Sequence, residues 1–72
     1  MILLSLKNRL KELRAREGLN QTELAKRIGA SRQTVSLMER GDYAPSVLLA
    51  LKIAKVFGEK VEDVFILDEE SE

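Results

Sequence analysis

Residues 21–40 hold two short amphipathic segments separated by a turn of three residues. Within each segment the apolar residues are spaced as on the buried face of a helix. These residues are Leu24, Ala25, Ile28, Val35 and Met38. Gly29 can adopt the positive φ that ends the first helix, and Ser31 can cap the second. The stretch therefore predicts two helices that cross steeply at a tight turn, with the small Ala25 side chain at their closest approach.

A further helix is predicted upstream of this stretch. Leu6, Leu10 and Leu13 fall at i, i+4 and i+7, and Gly18 follows them. Residues 1–4 are also apolar, and two interpretations remain open for them. They can extend the buried face of the helix, or they can form an extended arm that packs on a partner.

Capping residues and glycines mark the other helix boundaries. Asn20, with Glu23 three residues later, has the spacing of a capping box at the start of the second helix. Ser46 is the predicted cap of a fourth helix that ends at Phe57, and a short fifth helix is predicted over residues 61–65. Each of the four glycines stands just past a helix, where a left-handed residue belongs. These signals together predict an all-α domain.

The composition excludes several classes of protein. The 72 residues suffice for one small domain, and they include no cysteine and no histidine. The chain therefore lacks the commonest general base, the commonest nucleophile and the usual transition-metal ligands. No apolar run approaches the ~20 residues of a membrane span. We expect a cytoplasmic protein that is not an enzyme, holds no metal or other cofactor, binds no small-molecule ligand and has no membrane partner.

The charged residues are distributed unevenly although the formal net charge is zero. Residues 1–40 hold nine Lys/Arg and four Glu, net +5, whereas residues 41–72 hold three Lys and eight Asp/Glu, net −5. This pattern predicts a basic front and an acidic back. A phosphate backbone responds to the local patch rather than to the total charge. The last residues, 68–72, are expected to form a disordered acidic tail that follows a single domain over residues 1–67.

The segment N-Q-T-E-L-A-K-R-I-G-A-S-R-Q-T-V-S-L-M-E-R-G closely resembles the phage repressor/Cro type of helix-turn-helix, the XRE family of bacterial and archaeal regulators. The resemblance extends over about residues 7–65. It implies a compact five-helix, lambda-repressor-like domain in which helices 2 and 3 form the helix-turn-helix. It further implies a sequence-specific DNA-binding transcriptional regulator, a repressor in many relatives, that places its third helix, about residues 32–40, in the major groove.

Two other functions are compatible with the same fold. Relatives include antitoxins and controller proteins, which work with a second protein or gene. A coactivator-like protein-interaction module could instead contact the transcription machinery through the acidic back. Such a module has no need for Arg32, Gln33 and Ser36 to project together, so the polar face of the third helix favours double-stranded DNA, expected to be a palindromic operator.

The positions of side chains on the two motif helices predict their contacts with DNA. Base reading is expected from the outward face at the start of the third helix, at Arg32, Gln33, Ser36 and Leu37. Phosphate contacts are expected at the helix entrances and beside them, at Asn20, Gln21, Arg27, Thr34, Arg40 and Tyr43. Arg14 and Glu39, positions that relatives pair, are expected to form a partly buried ion pair between the first and third helices.

The fourth helix is apolar nearly all round, and one small domain cannot bury so many side chains. Together with the apolar residues that follow the fifth helix, it predicts a partner surface and a symmetric homodimer. The alternative is a wide core face with a few exposed leucines. The candidate contact residues are Leu48, Leu49, Val56, Ile66 and Leu67.

Overall fold

The structure is a computed structural model that describes the backbone of residues 2–71 and the side chains of residues 5–69. The elements of residues 2–71, in chain order, are β1 (Ile2–Asn8), α1 (Leu10–Glu17), α2 (Gln21–Ile28), α3 (Arg32–Glu39), α4 (Val47–Phe57), α5 (Val61–Val64) and β2 (Phe65–Ser71). α2 and α3 form the predicted helix-turn-helix, and α2 also packs on α4. Over the same residues, no helix is long and apolar enough to cross a bilayer.

The two strands make the domain different from the expected all-α fold, and that expectation is wrong. β1 and β2 pair in antiparallel fashion, from Ile2 opposite Ser71 to Asn8 opposite Phe65. The domain therefore consists of five helices and a two-stranded sheet over the described residues. Hydrophobic periodicity reports local structure only, whereas the stability of a strand depends on the partner that pairs with it. Here that partner lies near the other end of the sequence.

Residues 2–8 belong to β1, so the first helix starts later than predicted. Leu6 lies opposite Leu67 in the sheet rather than on the face of α1. The side-chain oxygen of Asn8 accepts a hydrogen bond from the backbone N–H of Leu10 at 3.1 Å, which turns the chain from strand to helix. Of the two interpretations of the N-terminal residues, the extended arm fits their backbone. This segment pairs with β2 of its own chain, however, whereas the prediction had it pack on a partner.

Residues 68–71 lie in β2, whereas the sequence predicted a disordered tail there. The boundary expected after Leu67 falls inside this strand. Pairing with β1 satisfies backbone groups that a solitary acidic segment would leave to water, and Lys7 Nζ lies 3.1 Å from a carboxylate oxygen of Asp68. Phe65 already belongs to β2, so α5 ends one residue earlier than predicted. Glu72 and Met1 lie outside the described residues.

The predicted helix ends are confirmed at α2, α3 and α4. The capping box at α2 has both of its bonds, with Glu23 N donating to Asn20 Oδ1 at 2.8 Å and Asn20 N donating to Glu23 Oε1 at 3.0 Å. Ser31 and Ser46 accept the expected cap bonds from backbone N–H groups at 3.0 and 3.1 Å. Gly29 ends α2 with φ 70°, which makes the tight turn to α3 possible.

The core forms where all five helices meet. α1, α2, α3, α4 and α5 each contribute side chains that are buried or nearly so. The fully enclosed members are Leu10, Leu13, Leu24, Ile28, Val35, Met38, Ile53 and Val64. Ala25 is buried on α2, the helix that contacts α3, as its small side chain predicts. This core fixes α2 and α3 relative to each other and so determines which of their side chains face outward.

Candidate nucleic-acid interface

α3 turns one face to the core and presents the other to solvent. Val35 and Met38 are buried on the inner face. The four side chains predicted to read bases lie on the other positions of the helix, where Arg32 and Gln33 are exposed and Ser36 and Leu37 are half-buried. Since α3 begins at Arg32, the two exposed side chains stand in its first turn. The helix thus offers two long polar side chains at the end that enters a major groove deepest.

Arg14 and Glu39 lie together between α1 and α3, as the sequence predicted. Arg14 Nε donates to Glu39 Oε2 at 2.6 Å, and Arg14 Nη2 donates to Glu39 Oε1 at 3.0 Å. The two side chains are only 15% and 9% exposed. Arg14 Nη1 also donates to the carbonyl oxygen of Leu19 at 3.0 Å. This bidentate pair joins α1, the loop before α2 and the end of α3.

The environment of this pair shifts both pKa values. Burial raises the pKa of the Glu39 carboxyl, but the hydrogen bonds from Arg14 and Gln21 and the positive charges of Arg14 and Lys11 together outweigh it and hold that pKa below its usual value. The hydrogen bond to Glu39 raises the pKa of Arg14 above its ordinary value. Both groups therefore keep their charges in the folded protein at neutral pH.

Gln21 connects the ion pair to the outward face of α3. Its Nε2 donates to Glu39 Oε1 at 3.2 Å, and its Oε1 accepts from Arg32 Nη1 at 3.1 Å. The sequence predicted Gln21 as a phosphate contact, whereas here its amide bonds to two side chains of α3. Arg32 is consequently held in place through Gln21 and Glu39, a link between two helices that spacing along one helix does not reveal.

Two of the other predicted phosphate contacts, Asn20 and Thr34, take part in helix caps. The Asn20 side chain is occupied in the capping box of α2. The Thr34 hydroxyl lies 2.9 Å from Ser31 Oγ, and its backbone N–H donates to the same oxygen. Both residues stand at helix entrances, where the positive end of the helix dipole favours an anion.

The remaining phosphate candidates are not gathered at one place. Arg40 Nε lies 3.4 Å from Asp42 Oδ2, and both side chains are largely exposed. Tyr43 is 45% exposed and lines a cavity of about 30 Å³ together with Leu6 and other residues near the sheet. Arg27 lines a groove between α2 and α4, and the outward residues of α3 are not part of that groove.

Five of the nine cations in residues 1–40 form ion pairs within the described part of the chain. They are Lys7, Arg9, Arg14, Arg16 and Arg40. Three of these pairs join the basic half of the sequence to the acidic half, namely Lys7 with Asp68, Arg16 with Glu59 and Arg40 with Asp42. These pairs make the basic and acidic sides of the folded molecule less distinct than the sequence suggests. Arg32 is one of the four cations of residues 1–40 that form no ion pair with a described residue.

Sequence reasoning missed two side chains that bond to the backbone near helix ends. Asn8 Nδ2 donates to the carbonyl oxygen of Met38 at 2.9 Å, near the end of α3. Arg16 Nη2 donates to the carbonyl oxygen of Phe57 at 2.7 Å, at the end of α4. The position of Asn8 two residues before the first core leucine was a usable signal, because asparagine often bonds to backbone two residues on.

The apolar residues predicted at a partner contact divide into two groups. Leu49 and Val56 are half-buried and pack against the core. Leu48, Ile66 and Leu67 are exposed. Val47 and Leu51 add to the exposed apolar surface of α4, with 77% and 54% of their area accessible. α4 therefore does expose apolar side chains, and these lie in its first half, at Val47, Leu48 and Leu51.

Known proteins resemble this chain over most of its length. A helix-turn-helix family model matches residues 10–64, from the first residue of α1 to the last of α5. A Bacillus subtilis protein named uncharacterized HTH-type transcriptional regulator YgzD is 58% identical over 66 residues, 92% of this chain and 100% of that one. An HTH-type transcriptional regulator of Archaeoglobus fulgidus, also named uncharacterized, is 52% identical over 65 residues, 90% of this chain and 92% of its own. The crystal structure of the restriction-modification controller protein C.AhdI from Aeromonas hydrophila matches with a TM-score of 0.70 at 36% identity, over 76% of this chain and 83% of that one.

Proposed function

The chain belongs to the XRE-type helix-turn-helix family, and from this premise we propose that it is a sequence-specific DNA-binding transcriptional regulator that reads the major groove with α3. One observation carries the proposal. Arg32 and Gln33 are exposed in the first turn of a helix whose opposite face is fixed in the core by Val35 and Met38. A helix that only packed in the core would not need long polar side chains at that end.

The side chains of α3 have the chemistry that base reading requires. Arg32 can donate two hydrogen bonds to O6 and N7 of guanine, and Gln33 can bond to N6 and N7 of adenine. Ser36 is short enough to bond to several bases, and Leu37 can contact a thymine methyl group. Because Gln21 accepts a hydrogen bond from a single nitrogen of Arg32, the other donors of the guanidinium remain for DNA.

The regulator acts as a symmetric homodimer on a palindromic operator, and its direct effect is repression. The exposed apolar residues of α4, Val47, Leu48 and Leu51, support the dimer, because a soluble domain rarely leaves such a patch without a partner. A symmetric dimer presents two copies of α3, which is why a palindrome fits it. A dimer bound at a promoter competes with RNA polymerase for the same DNA.

Fluorescence anisotropy of a labelled random-sequence duplex tests the DNA-binding step. A dimer that makes roughly six to ten phosphate contacts predicts a slope of log K against log[salt] of roughly −5 to −9. The same titration with a duplex that carries the operator must give tighter binding at every salt concentration. A slope near zero, or no binding at low salt, contradicts the proposed function.

A further inference from the structure

An open groove of about 530 Å³ lies between the end of α2 and the second half of α4. It is lined by Lys26, Arg27, Ile28, Gly29, Lys52, Lys55 and Val56. Ile28 is buried and Val56 half-buried, so the floor is apolar. The four cations form the rim, and Lys52 reaches across it, with its Nζ 3.9 Å from the position a Cβ would take on Gly29. The groove thus combines an apolar base with positive charge from two helices.

The four cations of this groove have no counterion among the described residues. None forms an ion pair or a side-chain hydrogen bond with another described residue, in contrast to Arg14 and Arg16 of α1 and Arg9 just before it. No acidic residue lines the groove. The negative end of the α2 dipole lowers the cost of gathering these charges but does not neutralise them. A negatively charged partner that also carries apolar side chains would fit both features of the surface.

The exposed face of α4 places these lysines beside its apolar surface. Leu48 and Leu51 precede Lys52 and Lys55 by four residues each, so the four lie on one side of the helix. α4 itself contains no acidic residue. In a symmetric contact through α4, each copy brings its own lysines to the interface, and acidic groups must come from another element of the partner.

The chain has such an acidic element next to α4. α5 packs on α4, and its Glu62 and Asp63 are exposed and form no ion pair with a described residue. The adjoining β2 exposes Ile66 and Leu67 and, beyond them, Glu69. This end of the molecule, residues 62–69, therefore combines free carboxylates with exposed apolar side chains. It complements the groove in charge and in apolar character.

We propose that the groove between α2 and α4 receives residues 62–69 of a second copy. The inference rests on the homodimer of the proposed function and specifies which surfaces form it. Two-fold symmetry repeats the contact, so each groove is filled and each acidic end is neutralised within one closed dimer. Burial of the apolar groups supplies the attraction, while the charges fix orientation and exclude other pairings.

Two charge-reversed variants test this pairing. Lys52→Glu/Lys55→Glu makes the α4 rim of the groove acidic, and Glu62→Lys/Asp63→Lys makes α5 basic. In sedimentation equilibrium at moderate salt, each variant alone is expected to raise the dimer dissociation constant about 100-fold or more, because attractive pairs become repulsive at both symmetry-related contacts. Lys11→Glu, which reverses an exposed lysine outside the groove, is the control and leaves the constant unchanged.

Mixing the two variants in equal amounts gives the decisive result. In the mixed dimer one contact joins an acidic α4 rim to a basic α5 and the other joins a basic α4 rim to an acidic α5, so both are complementary. The mixture is therefore expected to recover dimers that neither variant forms alone. Circular dichroism melts of each variant establish that a loss of dimer is not a loss of fold.

The remaining outcomes separate this inference from the proposed function. If the wild type dimerises and each charge-reversed variant still dimerises alone, the pairing is wrong although the homodimer is correct. The same conclusion follows if the folded variants stay monomeric when mixed. A wild-type protein that is monomeric at every concentration overturns both. If Lys52→Glu/Lys55→Glu weakens binding of each monomer to a half-site duplex as strongly as it weakens dimerisation, the groove contacts DNA and the pairing is wrong.

Discussion

Arg32 is held by a hydrogen bond to a residue of another helix. Its Nη1 donates to Gln21 Oε1 at 3.1 Å, and Gln21 in turn donates to Glu39 at 3.2 Å. A long flexible side chain loses rotamer entropy when it binds, so one that is already held loses less. The outward position of Arg32 followed from helix periodicity. Its link to Gln21 could not, because the two residues belong to different helices and meet only after the turn at Gly29 is made.

Replacing Arg32 by alanine distinguishes base reading from phosphate binding. Arg32→Ala is expected to weaken operator binding by about 1–3 kcal/mol per half-site and to relax preference at one base pair, while random DNA is bound nearly as before. The measurement is anisotropy titration with both duplexes. Arg40→Ala is the matched control and is expected to weaken both duplexes equally. If Arg32→Ala does the same, Arg32 contacts phosphate.

The depressed pKa of Glu39 makes part of the stability dependent on pH. Its pKa in the folded protein lies below that of an unfolded glutamate, about 4.3. The interaction therefore contributes fully above that value and is lost as the pH falls through the lower folded-state pKa. Urea unfolding from about pH 7 to about pH 2 is expected to show a steeper acid loss of stability for the wild type than for Glu39→Gln. Parallel curves for the two proteins would contradict this assignment.

The helices and the sheet differ in how far local sequence determines them. α2, α3 and α4 begin at capping residues and end at or near glycines, so their bounds follow from a few neighbouring residues. β1 and β2 depend on each other. The apolar residues before Asn8 fit a helical period as well as a strand, and the acidic residues after Leu67 have the composition of a tail. Neither segment identifies its partner, so both predictions failed there.

The Arg14–Glu39 pair is the connection between α1 and α3 that mutation tests most directly. Arg14→Met leaves the Glu39 carboxylate buried without its cation and is expected to cost roughly 3–5 kcal/mol of unfolding free energy. Arg14→Met/Glu39→Gln removes both charges and is expected to cost much less. Denaturant unfolding measures all three. Lys11→Met, on the exposed side of α1, is the control and stays within about 0.5 kcal/mol of the wild type. Additive, sub-kilocalorie effects at the pair would show that it is not a buried ion pair.

The assembled molecule distributes its charge in a way the sequence suggested only in part. The split of +5 and −5 about Gly41 indicated two oppositely charged sides, but pairs such as Lys7 with Asp68 and Arg16 with Glu59 join the two halves. Arg32 on α3 and the four cations of the α2–α4 groove are among the cations that form no ion pair with a described residue. Burial divides the apolar residues of α4 in a similar way, since Leu49 and Val56 pack on the core whereas Leu48 and Leu51 are exposed. Both outcomes depend on how elements meet, which no segment specifies by itself.

Selection of bound sites from a random-sequence DNA pool tests whether this protein reads sequence through two copies of α3. The expected product is a palindrome whose half-site centres lie about 10 base pairs apart, roughly one helical turn, or a multiple of that spacing, with a G·C pair at the position that Arg32 contacts. Repeating the selection with Arg32→Ala is expected to remove the preference for that pair and keep the palindrome. A pool that shows no enriched sequence after successive rounds, although the protein binds DNA, would contradict sequence-specific recognition by α3.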